Sequence, residues 1–112
     1  MRGAMVRVGD VATFATARPD KAHALKPLEE AAEVFAAWQE WHETDEALRR
    51  APADGIDAAE ADRRWALKRV AEECADVVQA TCNLLASLGV EDFEVDMELC
   101  RRRNERRGRR CG

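Results

Sequence analysis

The stretch LKRVAEECADVVQATCNLLASL, residues 67–88, decides the fold of this chain of 112 residues. Its apolar and small residues alternate spacings of three and four, which is the period of one face of a helix. These residues are Leu67, Val70, Cys74, Val77, Thr81, Leu84 and Leu88. Because a continuous seam of this kind needs another helix to cover it, the stretch predicts a long helix packed inside an all-α domain.

A second stretch with the same periodicity lies upstream. Its seam consists of Ala31, Val34, Trp38, Trp41 and Leu48. We predict a helix from Pro27 to about Arg50, since proline is tolerated in a first helical turn. The breaker at residues 51–55 separates it from the next long helix, with Asp57 as the cap of that helix and Gly89 as its C-terminal glycine. Two long helices joined by a loop should pack antiparallel.

Two shorter helices are predicted at the ends of the chain. Asp10 is placed to cap a helix that ends near Arg18, and a strand over residues 5–14, where valines are concentrated, is the alternative. A last helix should start near Glu91 and extend to about Arg107. Three of its side chains are expected to join the core: Phe93, Met97 and Cys100.

The length predicts a single domain over residues 1–112, with a short N-terminal segment (1–20) and a basic C-terminal tail (101–112). The fold class that we predict is all-α, an antiparallel helical bundle of about four helices, two long and two short. Oligomerisation is expected to complete it, because the seams and three tryptophans exceed what one chain can cover. No apolar run is long enough for a membrane span and no secretory signal is recognisable, so we expect a cytoplasmic protein without a membrane partner.

Charge is distributed unevenly along the chain. The tail at 101–112 holds seven basic residues and one acid, whereas the rest of the chain has a net charge of −10. An acidic body with a basic tail is suited to hold cations in one place and phosphates in another. No duplex nucleic acid is expected as a partner, because a uniformly basic face is missing. The four cysteines form no Cys-x-x-Cys pair, which argues against a zinc site.

Two acidic hexapeptides match across the long helices: EEAAEV at residues 29–34 and EECADV at residues 72–77. In each, two acids three positions apart flank the seam on the same side. These acids are Glu30, Glu33, Glu73 and Asp76. Antiparallel packing would bring four carboxylates together, and each close pair repels by about 1 kcal/mol or more. A hard divalent cation such as Mg²⁺ relieves this repulsion; the alternative is an ordinary solvated acidic face.

The same residues resemble a known family. EEAAE at residues 29–33 is similar to the Glu-Glu-x-x-Glu motif of the MazG-like, all-α nucleotide pyrophosphohydrolases, and ECAD at residues 73–76 is similar to their downstream Glu-x-x-Asp. Lys26 and the stretch RNERRG at residues 103–108 resemble further family features, the second a Lys-Asn-x-x-Arg-Gly stretch. The resemblance covers roughly residues 10–108.

This resemblance implies a Mg²⁺-dependent nucleoside triphosphate pyrophosphohydrolase that forms dimers or tetramers, with Mn²⁺ as an alternative metal. The reaction would convert an NTP or dNTP to the monophosphate and pyrophosphate by water attack at a carboxylate-bound metal site. The residues implied in catalysis and metal binding are Glu30, Glu33, Glu73 and Asp76. The candidate substrate-binding residues are Lys26, Asn83, Asn104 and Arg107.

Two departures from the family pattern stand out. The 39 residues between the motifs (34–72) exceed the usual separation, which indicates an insertion around residues 43–64. Arg103 also stands where lysine is common. The alternatives within the enzyme class are a phosphoribosyl-ATP pyrophosphohydrolase and a dUTPase-like activity. An alternative of another class is a non-catalytic helical adaptor, whose basic tail contacts RNA or an acidic partner.

Overall fold

The computed structural model describes residues 5–108, and its main feature is an antiparallel pair of long helices. Helix α1 spans Lys21–Arg50 and helix α2 spans Ile56–Ser87, with a short 3₁₀ turn at Ala53–Gly55 between them. A third helix, α3, spans Glu94–Arg106. Residues 5–108 contain no strand, so the all-α prediction is confirmed. None of the helices in this range combines the length and apolar character that a membrane crossing requires.

Helix α1 begins six residues earlier than predicted. The Asp20 carboxylate caps it by accepting a hydrogen bond of 2.9 Å from the backbone N–H of His23. Pro27 therefore lies in the second turn, where its missing N–H leaves the His23 carbonyl without its usual helical donor. Our prediction that the helix starts at Pro27 was wrong, because the cap at Asp20 outweighs the loss of one hydrogen bond.

The predicted short helix between Asp10 and Arg18 is not formed, and neither is the alternative strand. Residues 5–18 are irregular, with one turn in which the Ala17 N–H donates to the Phe14 carbonyl at 3.1 Å. Polar side chains of α2 bind this backbone, and Gln79 Nε2 donates to the Ala12 carbonyl at 3.0 Å. These long-range bonds replace the local hydrogen bonds that a helix would have used. The described chain has three α-helices instead of four.

The C-terminal glycine of α2 is confirmed. Gly89 has a φ of +89°, which side chains disfavour, and its N–H donates to the Ala86 carbonyl at 3.0 Å. The next residue, Val90, donates to the Leu85 carbonyl at 2.9 Å, which completes a Schellman motif. At the other end of α2, our prediction that Asp57 caps the helix was wrong. Gly55 occupies the cap position, because the 3₁₀ turn before it leads directly into the helix, and Asp57 lies in the first turn.

The contact between α1 and α2 is lined by small residues. The buried apolar residues are Ala37, Ala66 and Ala80. Part of each predicted seam lies outside it, since Trp38 is 42% exposed and Leu67 is 55% exposed. Each helix is therefore rotated by part of a turn relative to the prediction, and other seam residues stay half-buried, among them Val34, Val70 and Val77. Alanines allow the two backbones to approach closely, and Trp38 and Leu67 are left on an outer face.

Helix α3 makes no close backbone approach to α1 or α2 within residues 5–108. Phe93 and Met97 are 41% and 53% exposed, so the prediction that α3 joins the core of the same chain was wrong. Within the helix, the Arg101 guanidinium binds the Glu98 carboxylate at 2.9 and 2.6 Å. Its hydrogen bonds lower the pKa of Glu98 to about 2.

A polar cluster around Asp45, which we call the Asp45 latch, joins α1 and α2 near the loop of this helical hairpin. Asp45 is 9% exposed and accepts hydrogen bonds from Arg63 at 2.9 Å and from Arg49 at 3.1 Å. The Arg63 guanidinium also lies over the Trp41 ring, 5.5 Å from its centroid. Residues 43–64, where we predicted an insertion, form the end of α1, a short 3₁₀ turn and the start of α2 and do not form a long loop.

Replacing Asp45 with alanine should lower the free energy of unfolding by about 1–2 kcal/mol, because two charge-assisted hydrogen bonds are lost while Arg63 stays beside the helix contact. Urea unfolding followed by circular dichroism measures the change. Glu46→Ala is the control, since Glu46 forms only exposed pairs with His42 and Arg50. Equal effects of the two variants would contradict the importance of the latch.

Candidate metal centre

Three of the four predicted acids meet between the long helices. Glu30 of α1 and Glu73 and Asp76 of α2 each offer one carboxylate oxygen within 4.8 Å of the others. The side chains of Glu30 and Glu73 are only 18% and 21% exposed. Water therefore screens the repulsion between these two carboxylates less than it would on an open surface.

Two basic side chains stand at the margins of this acidic triad, Glu30–Glu73–Asp76. Lys26 Nζ lies 3.3 Å from Glu30, and this hydrogen bond raises the pKa of Lys26. Arg69 Nη2 lies 3.9 Å from Glu73, and its guanidinium packs 5.5 Å from the centroid of the Trp65 ring. Asp76 has no cationic partner within 4 Å in the part of the chain that the structure describes.

The Lys26 and Arg69 charges are also shared with acids outside the triad. Lys26 Nζ lies 3.6 Å from Glu29, and Arg69 Nε lies 3.6 Å from Glu40. The triad thus keeps an excess of negative charge. Three hard carboxylate oxygens at this spacing could hold a divalent cation.

Glu33, the fourth predicted ligand, is not part of the triad. It is exposed on α1, one turn beyond Glu30. The rotation of α1 explains the difference, because it turns Glu30 into the helix contact and leaves Glu33 at its edge. A role for Glu33 in metal binding or catalysis stays a prediction.

A cavity of about 390 Å³ lies beside the triad. Glu30 and Asp76 line it, as do two of the predicted substrate-binding residues, Lys26 and Asn83. Phe14, His23 and Gln79 also line it. The cavity therefore lies between the N-terminal end of α1, the C-terminal half of α2 and the N-terminal segment. Its volume lies within the usual range for small-molecule sites.

The N-terminal segment forms one wall of this cavity. Its backbone is held by α2: the Phe14 N–H donates to Asn83 Oδ1 at 3.0 Å, and Gln79 Nε2 donates to both the Ala12 carbonyl and Asn83 Oδ1 at 3.0 Å. Sequence reasoning missed Phe14 and Gln79. Gln79 could have been found, since it lies three residues after Asp76 and four before Asn83 on the same helix face.

His23 is a further residue at the cavity that the sequence did not single out. Its Nδ1 lies 2.7 Å from Asp20 Oδ1, the same oxygen that accepts the His23 backbone N–H. The hydrogen bond from the His23 backbone, and after it the one from the imidazole, lower the pKa of Asp20. The cap of α1 thus also fixes the imidazole against the cavity wall.

The two predicted substrate contacts near the C-terminus are Asn104, which lies on α3, and Arg107, which caps its C-terminal end. Asn104 Nδ2 contacts Cys100 Sγ at 3.6 Å, and Arg107 follows the last residue of the helix. Neither residue lines the cavity, so one chain does not bring them to the triad. Their binding to phosphate stays a prediction.

Comparison of this chain with protein-family models, with curated proteins and with solved structures finds no match.

Asp76→Asn should stabilise the protein in EDTA, because one negative charge leaves the triad, and should weaken the response to added Mg²⁺ or Mn²⁺. If the cation binds the folded form, the wild type gains about 1.4 kcal/mol when free cation exceeds the Kd tenfold. Thermal and urea unfolding with and without the cation measure both effects. Glu60→Gln, exposed on the same helix, is the control. An equal cation-dependent gain in the Asp76 variant would contradict a metal site at the triad.

Proposed function

We propose that this chain is a Mg²⁺-dependent nucleoside triphosphate pyrophosphohydrolase acting on the nucleotide pool of the cytoplasm. The observation that supports it most is the meeting of Glu30 with Glu73 and Asp76 beside the cavity. These acids come from both matching hexapeptides, EEAAEV at residues 29–34 and EECADV at residues 72–77, which also carry the resemblance to the MazG-like enzymes. Mn²⁺ is an alternative metal, because it accepts the same oxygen ligands.

Each group at the site has a role in this proposal. Glu30, Glu73 and Asp76 would hold the cation, which when bound neutralises phosphate charge and favours attack by water. Lys26 lies on the same face of α1 and would contact a phosphate oxygen once Glu30 is engaged by the cation. A carboxylate that is not a ligand would accept the proton of the attacking water. Our candidate for this base is Glu33, one turn from Glu30 on α1.

Two other assignments compete with this one. Phosphoribosyl-ATP pyrophosphohydrolase and dUTPase-like activities need similar acidic ligands and differ in the base and sugar that are bound. A non-catalytic adaptor is the alternative from another class. It is supported by α3, which stands apart from the hairpin with Val95 and Met97 exposed.

The enzyme proposal predicts pyrophosphate release from one or more members of a panel of NTPs, dNTPs and phosphoribosyl-ATP, dependent on Mg²⁺ and abolished by EDTA. Glu73→Gln and Asp76→Asn should each lower kcat/KM at least about 100-fold, since each removes one of three ligands. Glu60→Gln should leave kcat/KM within about twofold of the wild type. Absence of turnover together with absence of cation binding by calorimetry would favour the adaptor.

We further propose that the active form is a homo-oligomer, a dimer or a tetramer. Within residues 5–108 the buried apolar residues are only Ala37, Ala66 and Ala80, and no large side chain is fully buried. A core of this size is too small to stabilise a domain of about 100 residues. The occupant that we propose for the outer face is a second copy of the chain.

The outer face carries the side chains that such a copy would cover. Phe35 and Trp38 stack with their ring centroids 5.9 Å apart, and His42 stacks on Trp38 at 5.0 Å. Leu67 and Cys74 of α2 are exposed on the same side of the hairpin. A neighbouring subunit would also be the source of Asn104 and Arg107 for phosphate binding.

Trp38→Glu should shift the protein towards the monomer and lower its thermal midpoint, because a charge would be buried in the subunit contact. Sedimentation velocity over a range of protein concentrations measures the assembly. Ala36→Glu is the matched control, since this exposed residue points about 200° away around α1. A wild-type protein that sediments as a monomer at every concentration would refute the proposal.

A further inference from the structure

Two side-chain amides in the cavity wall are oriented by the N-terminal segment. Asn83 Oδ1 accepts hydrogen bonds from the Phe14 N–H and from Gln79 Nε2, each at 3.0 Å. Gln79 Nε2 also donates to the Ala12 carbonyl at 3.0 Å. A backbone N–H only donates and a carbonyl only accepts, so these partners determine which end of each amide carries the oxygen.

The other half of each amide is left for a ligand. Asn83 is 7% exposed, and within residues 5–108 its Nδ2 donates to no group and Gln79 Oε1 accepts from none. No fully buried side-chain nitrogen or oxygen in this range lacks a partner. Both atoms therefore keep some accessible surface, and both residues line the cavity. A ligand in the cavity is thus offered one donor and one acceptor, on residues one helical turn apart.

Phe14 adds an aromatic ring to the same wall. Its backbone N–H is bound by Asn83, so the position of the ring is tied to the amide pair. The side chain is 59% exposed and lines the cavity. An aromatic ring with an open face stacks well on a planar heterocycle and adds affinity without selecting a particular base.

We propose that Phe14, Gln79 and Asn83 form a subsite for a nucleobase. Asn83 Nδ2 donates to an acceptor on the base edge, Gln79 Oε1 accepts from a neighbouring N–H, and Phe14 stacks on the base. Asn83 lies about 10 Å along α2 from Asp76, which leaves room for a sugar between base and phosphates. This inference rests on the proposed function for the identity of the ligand as a nucleotide.

A purely architectural role is the competing explanation, in which the amides only fasten the N-terminal segment. Asn83→Asp separates the two roles. The aspartate keeps an Oδ1 that accepts from the Phe14 N–H and from Gln79, whereas the Nδ2 donor is replaced by an oxygen. The N-terminal segment should stay in place, and only the contact to the base should be lost.

The experiment measures binding of adenosine, guanosine, cytidine, uridine and their deoxy forms by ligand-observed NMR in buffer with EDTA. Ribose is the base-free reference. We expect at least one nucleoside to bind the wild type more tightly than ribose does. Asn83→Asp and Phe14→Ala should each weaken that binding about tenfold. The control for Asn83→Asp is Gln39→Glu, which adds the same charge at an exposed position of α1. The control for Phe14→Ala is Val8→Ala, which lies in the N-terminal segment but outside the cavity.

Nucleosides that bind no better than ribose would overturn the subsite, and so would equal binding by the two cavity variants and their controls. Phe14→Ala changes a half-exposed side chain, so it tests the proposal even if Asn83→Asp disturbs folding. The assay needs neither metal nor turnover. If the wild type hydrolyses triphosphates but binds no nucleoside, the subsite alone is refuted. If it binds nucleosides but hydrolyses no triphosphate, the hydrolase proposal alone is refuted.

Discussion

The close approach of α1 and α2 along Ala37, Ala66 and Ala80 is the constraint on which the rest of the structure depends. Because an alanine side chain ends at Cβ, the two backbones come near each other. Longer side chains in the same line of contact therefore meet between the two helices. Glu30 and Glu73 occupy this line, which explains why their carboxylates are mostly buried and lie together. A contact built on leucines would have kept the helices further apart and the acids in water.

Periodicity and the repeated hexapeptides were sufficient to predict the two long helices, their antiparallel packing and the meeting of acids from both. They were not sufficient to predict the rotation of each helix. An apolar stripe wider than one contact can face a partner in the same chain or one outside it, and Trp38 and Leu67 lie in the outer part. The same ambiguity separates Glu33 from the other three acids, because a shift in rotation moves neighbouring positions in or out of the contact.

Other features depend on information that is not local. The Phe14–Asn83 hydrogen bond joins residues 69 positions apart, and neither end carries a motif that signals the other. Local signals also competed at the start of α1, where Asp20 and Pro27 both suit a helix terminus. Only the bonds made by the Asp20 carboxylate, to the backbone and ring of His23, distinguish the true start.

Burying acids in the line of contact weakens the hairpin where they lie, so its ends have to hold it together. At one end the Asp45 latch binds Arg63, about 15 Å along α2 from Glu73. At the other, Asn83 and Gln79 bind the N-terminal segment at a similar distance. The triad thus lies between two sets of polar contacts, neither of which uses a carboxylate of the triad. A site supported in this way keeps its carboxylates close in spite of their repulsion, which is the arrangement expected where geometry for a ligand matters more than local stability.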